Sequence, residues 1–130
     1  MKKVSGLPVR IEILARRDCP NRGMAQVVVD RAVAMSGVPV EVETVDVKTE
    51  AQARKCHFLG SPSVRVDGLD VEPGSNGRTD FTLSDRVYRC GLGGLQGWPD
   101  ELWVRSALLV ASAQLSAGTG GPGRSSATSP

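Results

Sequence analysis

Aromatic residues and long apolar runs are both scarce in this chain. Phe, Trp and Tyr make up only 4% of its 130 residues, so a core must be built mainly from aliphatic side chains. No stretch approaches the roughly 20 apolar residues that span a membrane. Lys2 is not followed by the apolar run of a signal peptide, because Gly6 and Pro8 interrupt it. We therefore expect a cytoplasmic protein with no membrane partner.

A strong charge of either sign is also missing. The formal net charge is +2, and charged residues make up 23% of the chain. That balance is too weak to indicate binding to nucleic acid, which usually needs a clustered basic face. The length suits one domain that folds without disulfides. No nucleic acid partner is expected, and no pattern in the sequence indicates a cofactor or a bound metal.

Cysteine occurs only three times, as Cys19, Cys56 and Cys90. The odd count and the wide spacing argue against a disulfide scaffold. No two of the three are close enough in sequence to form half of a zinc site. In a reducing cytosol they are expected to be free thiols, one of which can be reactive.

The first part of the chain has a strand pattern followed by a helix pattern. Residues 9–15 alternate apolar and charged side chains before turning apolar, which predicts a strand. Residues 20–36 have apolar side chains at helical spacing, and Pro20 suits a first helical turn. Gly37 is the expected stop of this helix.

The next part of the chain again has a strand pattern followed by a helix pattern. A strand is predicted within 38–47, and the slip of its alternation near the end indicates a bulge or the end of the strand. A short polar helix over 50–57 follows. Its expected N-cap is Thr49, because Gln52 lies three residues further on, at the spacing of a capping box.

A hairpin follows the second helix. Residues 63–67 and 69–72 are predicted strands, and Asp67-Gly68 between them is a strong two-residue turn signal. The pattern over 81–89 fits either a short helix or an edge strand. Residues 90–97 contain four glycines, which indicates mobility.

The chain ends with a helix pattern and a biased tail. Pro99 and two carboxylates begin an amphipathic helix, and Gly, Ser, Thr, Ala and Pro dominate after it. We divide the chain into an extension at 1–8, one domain at 9–115 and a disordered tail at 116–130. The element order β-α-β-α-β-β-α predicts an α/β fold with a mixed four-stranded sheet and a C-terminal helix.

This element order resembles the thioredoxin-like fold. Cys19-Pro20 lies between the first strand and the first helix, where that family has its active-site cysteine. The segment 60–63, Gly-Ser-Pro-Ser, precedes the third strand, where the family has a cis-proline loop. The stretches FLGSPSVRVDGLDVEP, RTDFTLSDRVYR and GWPDELWVRSAL resemble a group of small bacterial thioredoxin-family proteins with a Cys-Pro-Asn motif. Some of these are labelled DF-family (seleno)proteins, and others alkylmercury-lyase-like.

The chain also departs from that pattern. The family motif is C-x-x-C, but Arg22 stands where the second, resolving cysteine should be. Relatives in the narrower group often have a cysteine at the position of Asp85. A second thiol is therefore missing, unless Cys90 replaces it.

Cys19 is the main candidate for chemistry. The thiolate is the reactive form of cysteine, and an ordinary thiol with a pKa of about 8.5 is mostly protonated at neutral pH. A helix start presents unpaired N–H groups and the positive end of a dipole, which favour the thiolate. Nearby arginines add positive charge. The alternative is that Cys19 is a small buried residue with an inert thiol.

The resemblance implies a binding surface beside Cys19. Pro62 is expected to be cis and to face the Cys19 turn, and Ser61 would offer its backbone N–H and C=O to an extended substrate. Asn21 and Arg22, on the Cys19 turn, complete the expected substrate-binding set. Alternatively, Pro62 is an ordinary turn proline.

The other two cysteines have weaker cases. Cys90 can serve as a second catalytic thiol if it comes close enough to Cys19 for a disulfide, or it can be a loop cysteine without a partner. Cys56 and His57 are adjacent on a helix and point in different directions. We expect Cys56 to pack in the helix and His57 to be a surface or capping residue.

The sequence predicts a thiol redox protein that acts through Cys19. This possible thiol-disulfide oxidoreductase would exchange with a protein disulfide or form a mixed disulfide with a small thiol. One alternative is a binding module that kept the fold and lost the chemistry. Another is a soft-metal or organomercurial protein with a role in mercury resistance, which needs Cys19, Cys90 and Asp85 to converge.

Overall fold

The protein is described here from a computed structural model, which covers residues 8–91 and 94–119. It is a mixed α/β structure with one four-stranded sheet, a small two-stranded sheet and a C-terminal helix. The elements are β1 (Val9–Ala15), α1 (Arg22–Ser36), β2 (Val40–Asp46), α2 (Glu50–Lys55), β3 (Ser63–Val66), β4 (Leu69–Asp70), β5 (Tyr88–Cys90), β6 (Gly94–Gln96) and α3 (Glu101–Thr119).

The large sheet has the strand order β2-β1-β3-β4. β1 and β2 are parallel and pair without a bulge from Val9 opposite Val40 to Ala15 opposite Asp46. β3 runs antiparallel to β1, and β4 runs antiparallel to β3. The predicted mixed four-stranded sheet with a C-terminal helix is therefore confirmed.

The main core lies between one face of this sheet and the helices α1 and α3. Alternate residues of β1 point into it, which explains the two-residue period of the strand. α1 and α3 pack against each other on the same face. A second apolar cluster lies by α2 and contains Leu14, Val47, Ala53 and Phe58.

Local signals locate several boundaries well. Gly37 ends α1 in the left-handed conformation, with φ of 68°. Thr49 caps α2 by accepting a hydrogen bond from the backbone N–H of Gln52, as the capping-box spacing predicts. The β3–β4 turn has positive φ at both Asp67 and Gly68, as a primed hairpin turn requires.

Other boundaries differ from expectation at element ends. The helix expected at 20–36 begins two residues later, at Arg22, because Pro20 and Asn21 form a turn. The helix expected at 50–57 ends at Lys55, since His57 takes a positive φ. The strands expected at 63–67 and 69–72 are shorter, because the turn takes one residue and the pairing stops at Asp70.

The glycine-rich region is more ordered than expected. Tyr88–Cys90 and Gly94–Gln96 pair as a second small sheet, which the sequence did not predict. α3 continues to Thr119, four residues into the segment expected to be disordered. Residues 1–7, which make up most of the expected extension, and 120–130 of the expected tail lie outside the described residues. Within the described part, no helix is long and apolar enough to span a membrane.

Candidate functional site

Cys19 lies in the turn that joins β1 to α1. Its backbone N–H donates to the carbonyl of Arg16 at 3.2 Å, and its own carbonyl accepts from the N–H of Arg22 at 3.3 Å. Asn21, the N-cap residue of α1, makes no side-chain capping hydrogen bond. Cys19 is only 7% exposed. The thiol is therefore held in a narrow turn at the carboxyl end of β1, two residues before the helix N-cap.

Arg16 joins the Cys19 turn to a distant loop. Its guanidinium contacts Asp18 at 3.2 Å, the carbonyl of Leu83 at 3.0 Å and Asp85 at 2.7 Å. The hydrogen bond that Arg16 donates to the Asp85 carboxylate raises the pKa of Arg16 and outweighs the opposing effect of burial. Its backbone N–H donates to Ser61 Oγ at 3.0 Å. This one residue thus links the Cys19 turn both to the loop and to Ser61.

Arg22 fills the position of the absent second cysteine with an ion pair. Its Nη1 lies 2.9 Å from Asp46 Oδ1 at the end of β2, although the geometry is not that of a directed hydrogen bond. Arg17 approaches the same carboxylate at 3.6 Å. Arg22 in particular holds the pKa of Asp46 below its usual value. Arg22 therefore stabilises the end of β2 and is not free in this structure to bind an anion.

Asn21 packs against the loop after β6. A Cβ on Gly97 would collide with the side-chain amide of Asn21, so the backbone must approach closely there. Glycine is the residue that permits such an approach. Asn21 is thus engaged with Gly97 and only partly exposed.

The loop before β3 is buried. The peptide bond from Ser61 to Pro62 is cis, and both residues are buried. The backbone groups of Ser61, expected to be open to a substrate, are already paired: its N–H donates to Ser84 O and its C=O accepts from the N–H of Arg86, both at 2.9 Å. The chain itself occupies the expected binding edge.

A buried charged network lies next to this loop. Arg86 is 3% exposed and donates to both carboxylate oxygens of Asp70, to Glu72 and to Ser63 Oγ. Its guanidinium lies 4.5 Å from the ring centroid of Tyr88, at a distance typical of a cation–π contact. Because every charge has a partner, this network is a structural support for the loop.

Tyr88 supports the proline loop directly. Its hydroxyl donates to the carbonyl of Pro62 at 2.6 Å, and the side chain is fully buried. Burial raises the pKa of Tyr88, so the hydroxyl keeps its proton and remains a donor.

Cys90 has different neighbours from Cys19. Burial raises the pKa of the Cys90 thiol, and the negative charges of Asp100 and Glu72 raise it further. Neither carboxylate belongs to the Cys19 turn. All three cysteines are free. Cys90 is therefore disfavoured as a thiolate, and the structure shows no bond between it and Cys19.

Cys56 and His57 lie at the end of α2. His57 is exposed and stacks on Phe81 with ring centroids 4.6 Å apart. Both residues line a cavity of about 120 Å³ that also includes Arg65 and Arg78. None of the residues of the Cys19 turn lines this cavity, which agrees with a packing role for Cys56 and a surface role for His57.

Two larger cavities are present on the described surface. One, of about 420 Å³, is lined by Arg16, Arg17, Asp18, Val47, Lys48 and Leu83. It lies beside the Cys19 turn, because three of its residues immediately precede Cys19. The other, of about 370 Å³, lies between β4 and α3 and is mainly apolar.

The alternative of a soft-metal site receives no support from the geometry. Across residues 8–91 and 94–119, no three His, Cys, Asp or Glu side chains are grouped so that they could hold a metal ion. Cys19, Cys90 and Asp85 therefore do not converge as a two-thiolate and carboxylate site would require.

Sequence reasoning missed the two arginines that organise this region. Arg16 entered the sequence argument only as one of the nearby positive charges, and Arg86 was given no role. The sequence contains no local signal for Arg86, since residues 84–88 give no reason to bury a charge. Only its carboxylate partners, Asp70 and Glu72, explain the burial.

Comparisons of this chain with protein-family models, with curated proteins and with solved structures find no match. A function must therefore be inferred from the geometry of the site.

Proposed function

We propose that this protein is a thioredoxin-like thiol redox protein that acts through Cys19 alone. The observation that carries the proposal is the position of Cys19. It follows strand β1, lies three residues before the first residue of α1, and its turn is hydrogen-bonded through Arg16 to the loop that contains the cis bond before Pro62. The sheet is mixed and four-stranded, with the order β2-β1-β3-β4, which is compatible with the proposal.

The proposed reaction is thiol-disulfide exchange. The Cys19 thiolate attacks one sulfur of a disulfide RS–SR′, the S–S bond breaks, and R′S⁻ leaves with its electron pair. The product is the mixed disulfide Cys19–S–S–R. Because residue 22 is arginine, an external small thiol R″SH completes the cycle. The thiolate R″S⁻ attacks the sulfur that is bonded to R. This step releases the Cys19 thiolate and forms RS–SR″.

Trapping of the mixed disulfide tests this proposal. The variant Cys56→Ser/Cys90→Ser has Cys19 as its only thiol. With excess hydroxyethyl disulfide at neutral pH, mass spectrometry should detect one mercaptoethanol adduct per chain, and the adduct should disappear on addition of a small thiol. Cys19→Ser, which retains the other two cysteines, is the control and should acquire adducts more slowly. Equal rates in the two variants would refute a special role for Cys19.

A second candidate is a binding module without chemistry. It is favoured by the low exposure of Cys19 and by the ion pair that occupies the position of a second cysteine. A binding module should retain any partner of the wild type after Cys19→Ser, since the fold is kept. Loss of that partner on this substitution alone would count against it.

A further inference from the structure

The loop at 82–86, hereafter the strap, pairs with Ser61 as an added strand would. Ser61 and Asp85 form an isolated parallel bridge. Ser84 and Arg86 supply the acceptor and the donor for the two backbone groups of Ser61. An extended peptide that bound beside the cis-proline loop by strand addition would need these same two groups. The strap therefore stands where such a peptide would lie.

The strap is tightly packed against the loop that it covers. A Cβ on Gly60, where φ is 120°, would lie 2.8 Å from Arg86 Cβ and 3.2 Å from the carbonyl oxygen of Ser84. At its start, the N–H of Thr82 donates to Phe58 O at 2.8 Å. No space for a second chain remains between strap and loop.

Side chains fasten the strap along its length. Arg16 bonds the carbonyl of Leu83 and the carboxylate of Asp85. The Glu50 carboxylate accepts from the N–H of Leu83 at 3.3 Å. Arg86 anchors the far end in the buried network with Asp70. Because Arg16 also contacts Asp18, the strap is joined to the residue next to Cys19.

The space that remains beside the Cys19 turn has the size of a small-molecule site. The cavity there measures about 420 Å³, and pockets for small ligands typically measure roughly 300–1,000 Å³. Its lining includes Arg16, which is paired with Asp18 and Asp85, and Arg17, which approaches Asp46. Its size suits a small disulfide.

We propose that the strap is a built-in specificity element that excludes extended polypeptides and restricts Cys19 to small disulfides. The inference rests on the proposed exchange reaction and adds its substrate class. In the first step the Cys19 thiolate forms an S–S bond to one sulfur of the small disulfide and the other sulfur leaves as a thiolate, and an external small thiol then releases the Cys19 thiolate as in the proposed cycle.

Two substrates with the same scissile bond test the inference. One is N-acetylcysteine as its mixed disulfide with thionitrobenzoate. The other has the same bond at the centre of an unstructured peptide of about twelve residues, too long for a cavity of small-molecule size. With the Cys56→Ser/Cys90→Ser protein, coloured thionitrobenzoate should be released from the peptide at least about tenfold more slowly, since the strap occupies the edge along which the extended chain would lie and the small disulfide does not need that edge. A peptide rate equal to or above the small-disulfide rate would overturn the inference.

Loosening the strap should remove this discrimination. Leu83→Gly/Asp85→Gly, in the same background, removes the Arg16–Asp85 ion pair and increases backbone freedom. The ratio of the peptide rate to the small-disulfide rate should rise towards one. Asp80→Gly, the same type of substitution in the exposed loop before the strap, should leave the ratio unchanged. An unchanged ratio in the folded double variant would contradict the proposal.

Hydrogen exchange provides a readout that does not depend on a variant. In the wild-type protein, the backbone N–H groups of Ser61 and Arg86 should exchange far more slowly than those of an unstructured chain. Exchange at the unstructured rate would show an open edge and overturn the inference. If neither disulfide releases thionitrobenzoate, the exchange reaction itself fails. Equal rates of release from the two substrates would support the exchange reaction and refute only the proposed role of the strap.

Discussion

Two arginines, Arg16 and Arg86, bind the strap at its two ends, but they do so in different surroundings. Arg16 lies near the surface and joins the strap to Asp18 and Asp85. Arg86 is buried and has a paired carboxylate, Asp70, whose side chain is only 7% exposed. Exposed ion pairs contribute little to stability, whereas removal of one partner of a buried pair leaves an uncompensated charge. The two residues therefore differ in what their loss should do.

Replacement of Arg86 by methionine should destabilise the protein strongly. Arg86→Met leaves Asp70 and Glu72 without their buried cation, and breaking a buried pair typically costs about 3–5 kcal/mol. Urea denaturation followed by circular dichroism measures the free energy of unfolding. Arg89→Met, three residues along at an exposed position of β5, is the matched control. Equal stabilities of the two variants would contradict the supporting role of the network.

Asp80 should contribute to the pH dependence of stability at acid pH. Its hydrogen bond with Arg78 lowers the pKa of Asp80 from 3.8 to about 2. A carboxylate whose pKa is lowered on folding stabilises the folded state above its unfolded pKa, and this stabilisation is lost as pH falls through the folded value. Asp80→Asn should therefore flatten the fall of the urea midpoint between about pH 4 and pH 2.

The control for this measurement is Glu41→Gln at an exposed position of β2. In the Glu41→Gln protein, the urea midpoint should fall more steeply between about pH 4 and pH 2 than in the Asp80→Asn protein. The Asp80 pair is exposed to solvent, so added salt should reduce the difference between Asp80→Asn and the wild type. If the urea midpoint of the Asp80→Asn protein falls with pH as steeply as that of the wild type, the Arg78–Asp80 pair does not stabilise the protein in solution.

At the scale of elements, α2 depends on its caps more than on its length. It has only six residues, and an isolated helix of that length is unstable in water. Thr49 Oγ1 accepts from the N–H of Gln52, and the side chain of Gln52 returns a bond to the N–H of Lys48. The first of these bonds satisfies a donor that the first helical turn leaves free, and the second joins that turn to the residue before the cap.

Thr49→Ala should cost about 1 kcal/mol of stability, the usual loss for an N-cap threonine. Thr79→Ala, in an exposed loop, is the same substitution outside a helix and should change the free energy of unfolding by less than about 0.5 kcal/mol. Both values come from chemical denaturation. An equal effect of the two substitutions would indicate that the cap does not stabilise α2.

Elements with local signals could be predicted from the sequence, and elements defined by distant partners could not. The end of α1 at Gly37 and the turn at Asp67-Gly68 need only the conformational freedom of glycine and short polar residues. The strap is held by Ser61, more than twenty positions away, and β5 exists because it pairs with β6. The pattern over 81–89 therefore gave no decision between helix and strand.

The sequence predicted that the Cys19 turn and the Pro62 loop lie near each other. It was wrong about the access of a substrate to the backbone of Ser61. The turn with Cys19 and the loop with Pro62 are joined through Arg16, as neighbouring positions in the resemblance imply. Ser61 was expected to present its backbone to a substrate, but the strap uses both groups. A pairing made by one residue of an irregular loop has no periodicity, so sequence patterns do not reveal it.

At the scale of the whole molecule, α3 completes the core. It packs against α1 and against β3 and β1, and its buried residues join the main apolar cluster. Outside this main core, the sheet carries the exposed ion pair of Arg10 with Glu43 and the smaller apolar cluster around Leu14. Stability of the whole domain should therefore depend on the inner face of α3.

Adjacent leucines on α3 provide a test of this dependence. Leu108 is fully buried, whereas Leu109 is 57% exposed. Leu108→Ala should lower the free energy of unfolding by about 2–5 kcal/mol, through lost burial and the cavity left behind. Leu109→Ala should change it by less than about 0.5 kcal/mol. Similar losses in urea denaturation would contradict the packing of α3 on the sheet.

The central claim is that the folded turn makes Cys19 reactive. The most direct test is the rate at which iodoacetamide alkylates the Cys56→Ser/Cys90→Ser protein at pH 7, compared with the same protein unfolded in urea. The thiol and the chain are identical in the two measurements, so only folding differs. The account predicts faster alkylation in the folded protein, even though Cys19 is only 7% exposed. Slower or equal alkylation in the folded protein would contradict it.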